Sequence, residues 1–141
     1  MKVLVINGPN LNMLGKRPKE HYGSLTLDEI NERMIEEAGS FIELSFFQSN
    51  YEGAIIDKIQ EAVGLYDAII INPAGYTHTS VSIRDALEIF PGIKIEVHLS
   101  DVDNRDEFRK VNYIRDVCEK AFTGGKIESY LDSIKYLKYN K

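Results

Sequence analysis

The run Val3-Leu4-Val5-Ile6-Asn7-Gly8-Pro9-Asn10 decides the fold. Four consecutive β-prone aliphatic residues with no polar alternation describe a strand covered on both faces, the habit of a parallel sheet. The run ends at Asn-Gly-Pro-Asn, residue types that favour a turn and place side-chain amides at the strand's carboxyl end. A parallel strand rejoins its sheet only through a crossover, usually a helix, so the chain beyond this corner must alternate helix and strand.

The remaining sequence does alternate. Thr26-Leu27-Asp28-Glu29 reads as a capping box, and Leu27, Ile30, Met34 and Ala38 then recur at helical spacing until Gly39. Phe41 to Phe47 sets Ile42, Leu44 and Phe46 on one face and Glu43 and Ser45 on the other, the pattern of a half-exposed edge strand. Ser49 with Glu52 reads as the cap of a second helix, with Ile55, Ile59, Ala62 and Val63 as its buried stripe and Gly64 as its end. Asp67 to Ile71 is a third strand. Ser80 to Phe90 is a helix with Ile83, Leu87 and Phe90 inward, stopped by Pro91-Gly92. Ile93 to Val97 is a fourth strand, and a weaker one is expected near Val117 to Phe122, after the polar stretch from Ser100 to Arg109. A last helix carries Ile127, Leu131, Ile134 and Leu137.

Five strands alternating with helices imply an α/β three-layer sandwich: a five-stranded parallel sheet in the flavodoxin-like order 2-1-3-4-5. With 141 residues the chain suits a single domain, residues 1–141. Hydrophobic residues at 43% and charged residues at 28% are ordinary globular usage, and no apolar run is long enough to cross a bilayer. The net charge of −5 disfavours partnership with nucleic acid or an anionic membrane. The opening Met1 to Ile6 runs straight into Asn7, without the apolar core and cleavage site of a signal peptide, so a cytoplasmic location is expected. Cys118 is the single cysteine, which excludes an internal disulfide and reads as a small buried hydrophobe.

In such sheets ligands bind beyond the carboxyl ends of the strands, beside the point where strand order reverses. Three segments meet there. The first is the nineteen-residue connection between Ile6 and Thr26, which carries Lys16, Arg17, Lys19, His21 and Tyr22; a loop that long in a compact domain reads as a binding loop or lid, near residues 16–23. Gly15-Lys16 is not a nucleotide phosphate loop, because Arg17 stands where Ser or Thr is required. The second is Asn72 to Ser80, ending at a helix start where Thr79 and Ser80 are good caps. The third is Glu96-Val97-His98-Leu99-Ser100, whose period of two places Glu96, His98 and Ser100 on one side. A carboxylate beside an imidazole can orient it and hold it protonated for acid catalysis. There is no G-x-S-x-G elbow, and the three histidines lack zinc-ligand spacing.

These motifs resemble one family. Asn7 to Pro18 followed by Tyr22-Gly23, Ile71 to Ser80 with Arg84-Asp85-Ala86-Leu87, and Glu96 to Ser100 leading to Arg105 and Phe108-Arg109 are similar, in order and separation, to the type II 3-dehydroquinate dehydratases. The resemblance spans nearly the whole chain. It implies an anti elimination of water from 3-dehydroquinate through an enolate to give 3-dehydroshikimate, the third step of the shikimate pathway, without metal or organic cofactor. By resemblance Tyr22 is the proton acceptor and Arg17 its activator. A phenol ordinarily titrates near 10, so it needs a nearby cation to serve as a base. Asn10, with an ordered water, is assigned to the enolate oxygen, His98 to protonating the departing hydroxyl, and Glu96 to orienting His98. Asn72, His78 and Arg109 match positions that hold ring hydroxyls, and Leu99 and Ser100 match the carboxylate cradle. Arg105 matches a residue that fastens the closed lid. Asp85 matches one that reaches the site of an adjacent subunit, in a family that assembles as a homododecamer of trimers.

Asp101 departs from the family's usual Asn, and Asp103 adds a second negative charge near the carboxylate cradle. Gly124-Gly125-Lys126, with Ser129 before Tyr130, also departs from the family's approach to the last helix. Rival readings fit less well. A flavodoxin-like electron carrier needs a Ser/Thr/Gly phosphate cradle after the first strand, and a phospho-receiver needs clustered acids at strand ends. A non-catalytic assembly or ligand-sensing protein on the same scaffold is the remaining alternative, and Tyr22, Arg17 and His98 speak against it.

Overall fold

The computed structural model describes residues 1–140. Among them, five parallel strands form one sheet in the order β2-β1-β3-β4-β5. The strands are β1 (Lys2–Asn7), β2 (Glu43–Gln48), β3 (Ala68–Asn72), β4 (Ile93–Val97) and β5 (Lys120–Phe122). The helices are α1 (Lys19–Tyr22), α2 (Leu27–Ala38), α3 (Glu52–Ala62), α4 (Val81–Ile89) and α5 (Ile127–Asn140). Side chains alternate across a strand, so β1 serves two cores at once. Val3 and Val5 face one layer with Ile30 and Met34 of α2 and Ile134 and Leu137 of α5. Leu4 and Ile6 face the other with Ile55 and Ile59 of α3 and Ile83 and Leu87 of α4. The unbroken aliphatic character of β1 and β3 follows from this, since every residue from Val3 to Asn7 and from Ala68 to Asn72 is buried.

Local signals hold where a side chain had one local partner. The Glu29 N–H donates to Thr26 Oγ1 at 3.2 Å while the Thr26 N–H donates to Glu29 Oε1 at 3.0 Å, a complete capping box for α2. The Ile83 N–H likewise donates to Ser80 Oγ, which caps α4.

Other expectations are corrected. Tyr51, with no side-chain cap, precedes α3 in place of Ser49. Ser49 Oγ instead accepts the Tyr51 N–H, and the Glu52 carboxylate accepts the Ser80 hydroxyl at 2.5 Å, so tertiary partners took both groups. Val63 lies past the end of α3 and is 44% exposed, outside the buried stripe. The second strand begins at Glu43, leaving Phe41 outside it. The fifth shrinks to Lys120–Phe122 because Arg115–Val117 forms a 3-10 turn. The long connection after β1, read as a binding loop or lid, contains a 3-10 turn at Leu11–Met13 and the short helix α1, which holds Tyr22.

Strand order reverses between β1 and β3, and there the two outgoing loops touch. The Gly8 N–H donates to the Asn72 carbonyl at 2.8 Å. A β-carbon at Gly8 would sit 2.6 Å from the Pro73 carbonyl oxygen, so only glycine lets these backbones approach. Below the contact lies a buried polar bridge: the Tyr130 hydroxyl of α5 donates to Asn7 Oδ1 at 2.5 Å and accepts from Asn72 Nδ2 at 2.9 Å. Burial pushes the Tyr130 phenol well above its ordinary range, so it remains a donor. Asn72 Oδ1 accepts the Ala74 N–H, which completes the fixing of that amide at the rim.

Gly8→Ala should therefore destabilise the fold by about 1–3 kcal/mol, the usual penalty for overpacking against backbone. A urea unfolding curve should show a lower midpoint with an unchanged slope; an unmoved midpoint would mean the two loops separate freely.

Candidate active site

The ends of β1, β3 and β4 and the loops beyond them line one open cleft. Arg17 and Tyr22 line it from the first connection, Asn72 and His78 from the second, and His98, Leu99, Ser100, Arg105 and Arg109 from the third. Among the described residues, three guanidiniums reach this cleft and no carboxylate lines it. A chain of net charge −5 thus presents a locally positive basin, suited to an oxygen-rich anion.

Tyr22 is 9% exposed, with its ring packed into the core layer under α2 and α5. Arg17 stacks on that ring, its Cζ 3.6 Å from the centroid. The phenol oxygen accepts a hydrogen bond from Arg105 Nη1 at 2.8 Å, and Arg105 also donates to Ser100 Oγ at 3.3 Å. The sequence reading gave the charged partnership of Tyr22 to Arg17 and a fastening role to Arg105. In the fold Arg105 touches the oxygen and Arg17 covers the ring face.

His98 is almost wholly buried and donates from Nε2 to Glu96 Oε2 at 2.6 Å. The alternation of β4 places both residues on one side, as the spacing requires. Glu96 is 0% exposed and sits behind His98, outside the cleft lining. Its Oε2 also accepts from Asn112 Nδ2 at 2.8 Å, and its Oε1 accepts from Arg115 Nε at 2.6 Å. Burial alone would raise the Glu96 pKa, but the His98 hydrogen bond and charge, with Arg115 and Asn112, outweigh it and hold it at about 2.

His78 is set differently. Its Nδ1–H donates to the Val111 carbonyl at 2.7 Å, which fixes the tautomer and leaves buried Nε2 without a partner among the described residues. Burial first, and then the charges of Arg109 and His98, lower its pKa. A neutral ring held this way offers Nε2 as an acceptor for a ligand hydroxyl. The carbonyls of Leu99 and Ser100 accept N–H bonds from Lys126 and Gly124, which fixes the amide planes of the third loop. Gly124, at a φ of +79° in the left-handed region, permits that turn.

Two expected site residues stand apart. Asn10 is exposed and outside the cleft lining, with its N–H given to Asn50 Oδ1. Asp85 is exposed on α4 and also outside the lining. Asp101 and Asp103 point to internal partners, Asn104 Nδ2 at 2.8 Å and Arg115 Nη1 at 3.2 Å, and neither lines the cleft. Asn112, Arg115 and Tyr130 were not read from the sequence, because each earns its place through a partner distant in the chain. Cys118 is an inert thiol, its pKa pushed up to about 12 by burial and the Glu96 charge.

A flavodoxin-like sheet whose rim gathers guanidiniums, a phenol and a carboxylate-backed imidazole around one cleft defines an α/β protein equipped for acid–base chemistry on an anion. The chain matches the family described as Dehydroquinase class II over residues 1–138. It is 51% identical over 132 residues to the 3-dehydroquinate dehydratase of Geotalea daltonii, covering 93% of this chain and 92% of that one. It is 52% identical over 125 residues to the corresponding protein of Campylobacter jejuni subsp. doylei, covering 88% and 79%. The solved type II dehydroquinase from Butyrivibrio crossotus superposes with a TM-score of 0.94 at 47% identity, covering 98% of this chain and 97% of that one. The chain belongs to the class II dehydroquinase family.

The buried carboxylate carries a pH signature. Glu96 ionises at about 2 when folded against an ordinary 4.5, so its contribution to stability is complete above about 4.5 and lost as pH falls toward 2. The contribution at neutral pH is on the order of 3 kcal/mol. Denaturant midpoints of the wild type should fall steeply between pH 4.5 and 2, and those of Glu96→Gln should fall much less; parallel declines would place the acid sensitivity elsewhere.

Proposed function

We propose that the protein is a 3-dehydroquinate dehydratase that removes water from 3-dehydroquinate by anti elimination, with Tyr22 as proton acceptor and His98 as proton donor. The observation that carries this reading is the presence of Tyr22 and His98 in one cleft, each with a charged partner: Arg105 on the phenol oxygen and Glu96 on the imidazole.

The ionised phenol takes the proton beside the ring ketone, and the C–H electrons move into an enolate. Coulomb attraction to Arg105 and Arg17 offsets negative charge gathering at this end of the cleft. As the enolate collapses, the ring C–O bond breaks and His98 gives its proton to the departing hydroxyl, which leaves as water. Glu96 holds His98 by Nε2, so the proton delivered to substrate is on Nδ1. Asn72, His78 and Arg109 hold ring hydroxyls, with His78 Nε2 accepting, and Leu99 and Ser100 cradle the carboxylate. Asn10 acts on the enolate oxygen through water, which is consistent with its position outside the direct lining. Exposed Asp85 serves a neighbouring subunit in a trimer-based dodecamer. No described helix is long and apolar enough to cross a membrane.

Purified protein given 3-dehydroquinate should generate the ultraviolet absorbance of a conjugated enone, and folded protein giving a flat trace would overturn the activity. Tyr22→Phe should lower kcat by about 10²–10⁴-fold, the usual worth of a positioned base, while ligand binding changes little. Retained turnover would move the base to another group.

A further inference from the structure

The His98–Glu96 pair faces the cleft, but what holds Glu96 lies on its far side. Arg115 does not line the cleft, yet its guanidinium contacts both ends of an internal path. Nε donates to Glu96 Oε1 at 2.6 Å, and Nη1 donates to Asp103 Oδ2 at 3.2 Å. Asp103 belongs to the 3-10 turn Val102–Asn104, directly before Arg105, and Arg105 holds the Tyr22 phenol oxygen. Asn112 steadies the same corner: its Nδ2 donates to Glu96 Oε2, and its Oδ1 accepts the N–H groups of Ile114 and Arg115. We propose that Arg115 is a positioning residue for His98, pinning the Glu96 carboxylate from behind and tying it, through Asp103, to the loop that presents Arg105 to Tyr22.

The inference rests on His98 being the proton donor. Two physical consequences support a role beyond packing. Each Glu96 oxygen has its own donors, Arg115 on Oε1 and His98 with Asn112 on Oε2. Without Arg115, a buried oxygen loses its donor and the carboxylate is free to turn, carrying the imidazole with it. Charge matters as well. A donor must part with its proton during the reaction, and a lone buried carboxylate behind it would resist that loss. With Arg115 in place the Glu96 charge remains compensated after His98 has given the proton away. The groups around His98 are Glu96 on β4, with Arg115, Asn112 and Cys118 behind it, and Asn72, His78, Tyr22, Arg17, Arg105 and Arg109 around the cleft.

The test compares full-length wild type with Arg115→Gln, Arg115→Lys, Asp103→Asn and His98→Ala, checking each for folding by thermal denaturation. Arg115→Gln should lower kcat about tenfold or more, in keeping with the sensitivity of proton transfer to small misplacements, with KM within about threefold of wild type. Its alkaline limb of kcat should move to higher pH, because the uncompensated carboxylate retains the His98 proton. The downfield proton signal of the His98 ring N–H facing Glu96 should broaden or shift. Arg115→Lys should recover part of kcat and return the limb toward wild type; if the Gln variant does not fold, a smaller limb shift in Arg115→Lys carries the test. Asp103→Asn, which keeps the Arg115–Glu96 contact, should lose only about threefold in kcat by the same argument. Folded Arg115→Gln with wild-type kcat and pH profile would overturn the inference, and so would equal losses in the Gln and Lys variants with no limb shift. Turnover surviving His98→Ala would overturn the donor assignment and this inference with it. Loss of turnover there beside an unaltered Arg115→Gln would overturn the inference alone.

Discussion

A carboxylate with no access to water must be neutralised from within the protein, and Glu96 is such a group. Its three partners come from three places: His98 just past the end of β4, Asn112 in the loop after the cleft, and Arg115 in the turn before β5. Satisfying it therefore organises the irregular stretch from residue 101 to 117, which holds only short 3-10 turns and no strand. That stretch supplies Val102, Arg105 and Arg109 to the cleft. One buried charge thus sets both the orientation of the imidazole in front of it and the path of the loop around it.

The sheet could be read from the sequence because its signals are short-range. Four aliphatics in a row, a capping box at Thr26 and a Ser80 cap each name their element without knowledge of the rest of the fold. The failures share a cause as well. Ser49 and Glu52 have the spacing of a cap, but Glu52 bonds Ser80 across 28 residues. The segment before β5 is β-prone, yet the Asn112 side chain, accepting two successive N–H groups, bends it into a turn. Propensity loses wherever a distant partner satisfies the same group better.

The candidate site divides along the same line. Glu96 and His98 stand out because residue type and spacing already state a chemistry, whereas Tyr22 and Arg17, like the binding residues around them, take their roles from the family resemblance. Neither route points to Arg115 or Tyr130. Nothing near Arg115 in sequence marks it as the counter-charge of Glu96, 19 residues away, and Tyr130 reaches Asn7 from 123 residues off. That Arg105 meets the Tyr22 oxygen while Arg17 covers the ring face is equally invisible in the sequence. Both lie close enough in the fold to serve Tyr22, and only the path of the chain decides which one meets the oxygen.

Under the proposed mechanism, the origin of the two reacting groups follows from the sheet. Parallel strands end on one edge and point the same way, so residues delivered by β3 and β4 approach a ligand from a single side. Elimination across a ring requires a donor and an acceptor on different sides, and the second must come from a segment that folds back over the rim. The connection after β1 is such a segment: it is long enough to return, and α1 packs Tyr22 into the core layer while its hydroxyl meets the cleft. Arg105 then joins the returned segment to the strand-end loop, through the phenol oxygen on one hand and Ser100 on the other. The length of that first connection therefore suits the geometry of the proposed reaction as well as the fold.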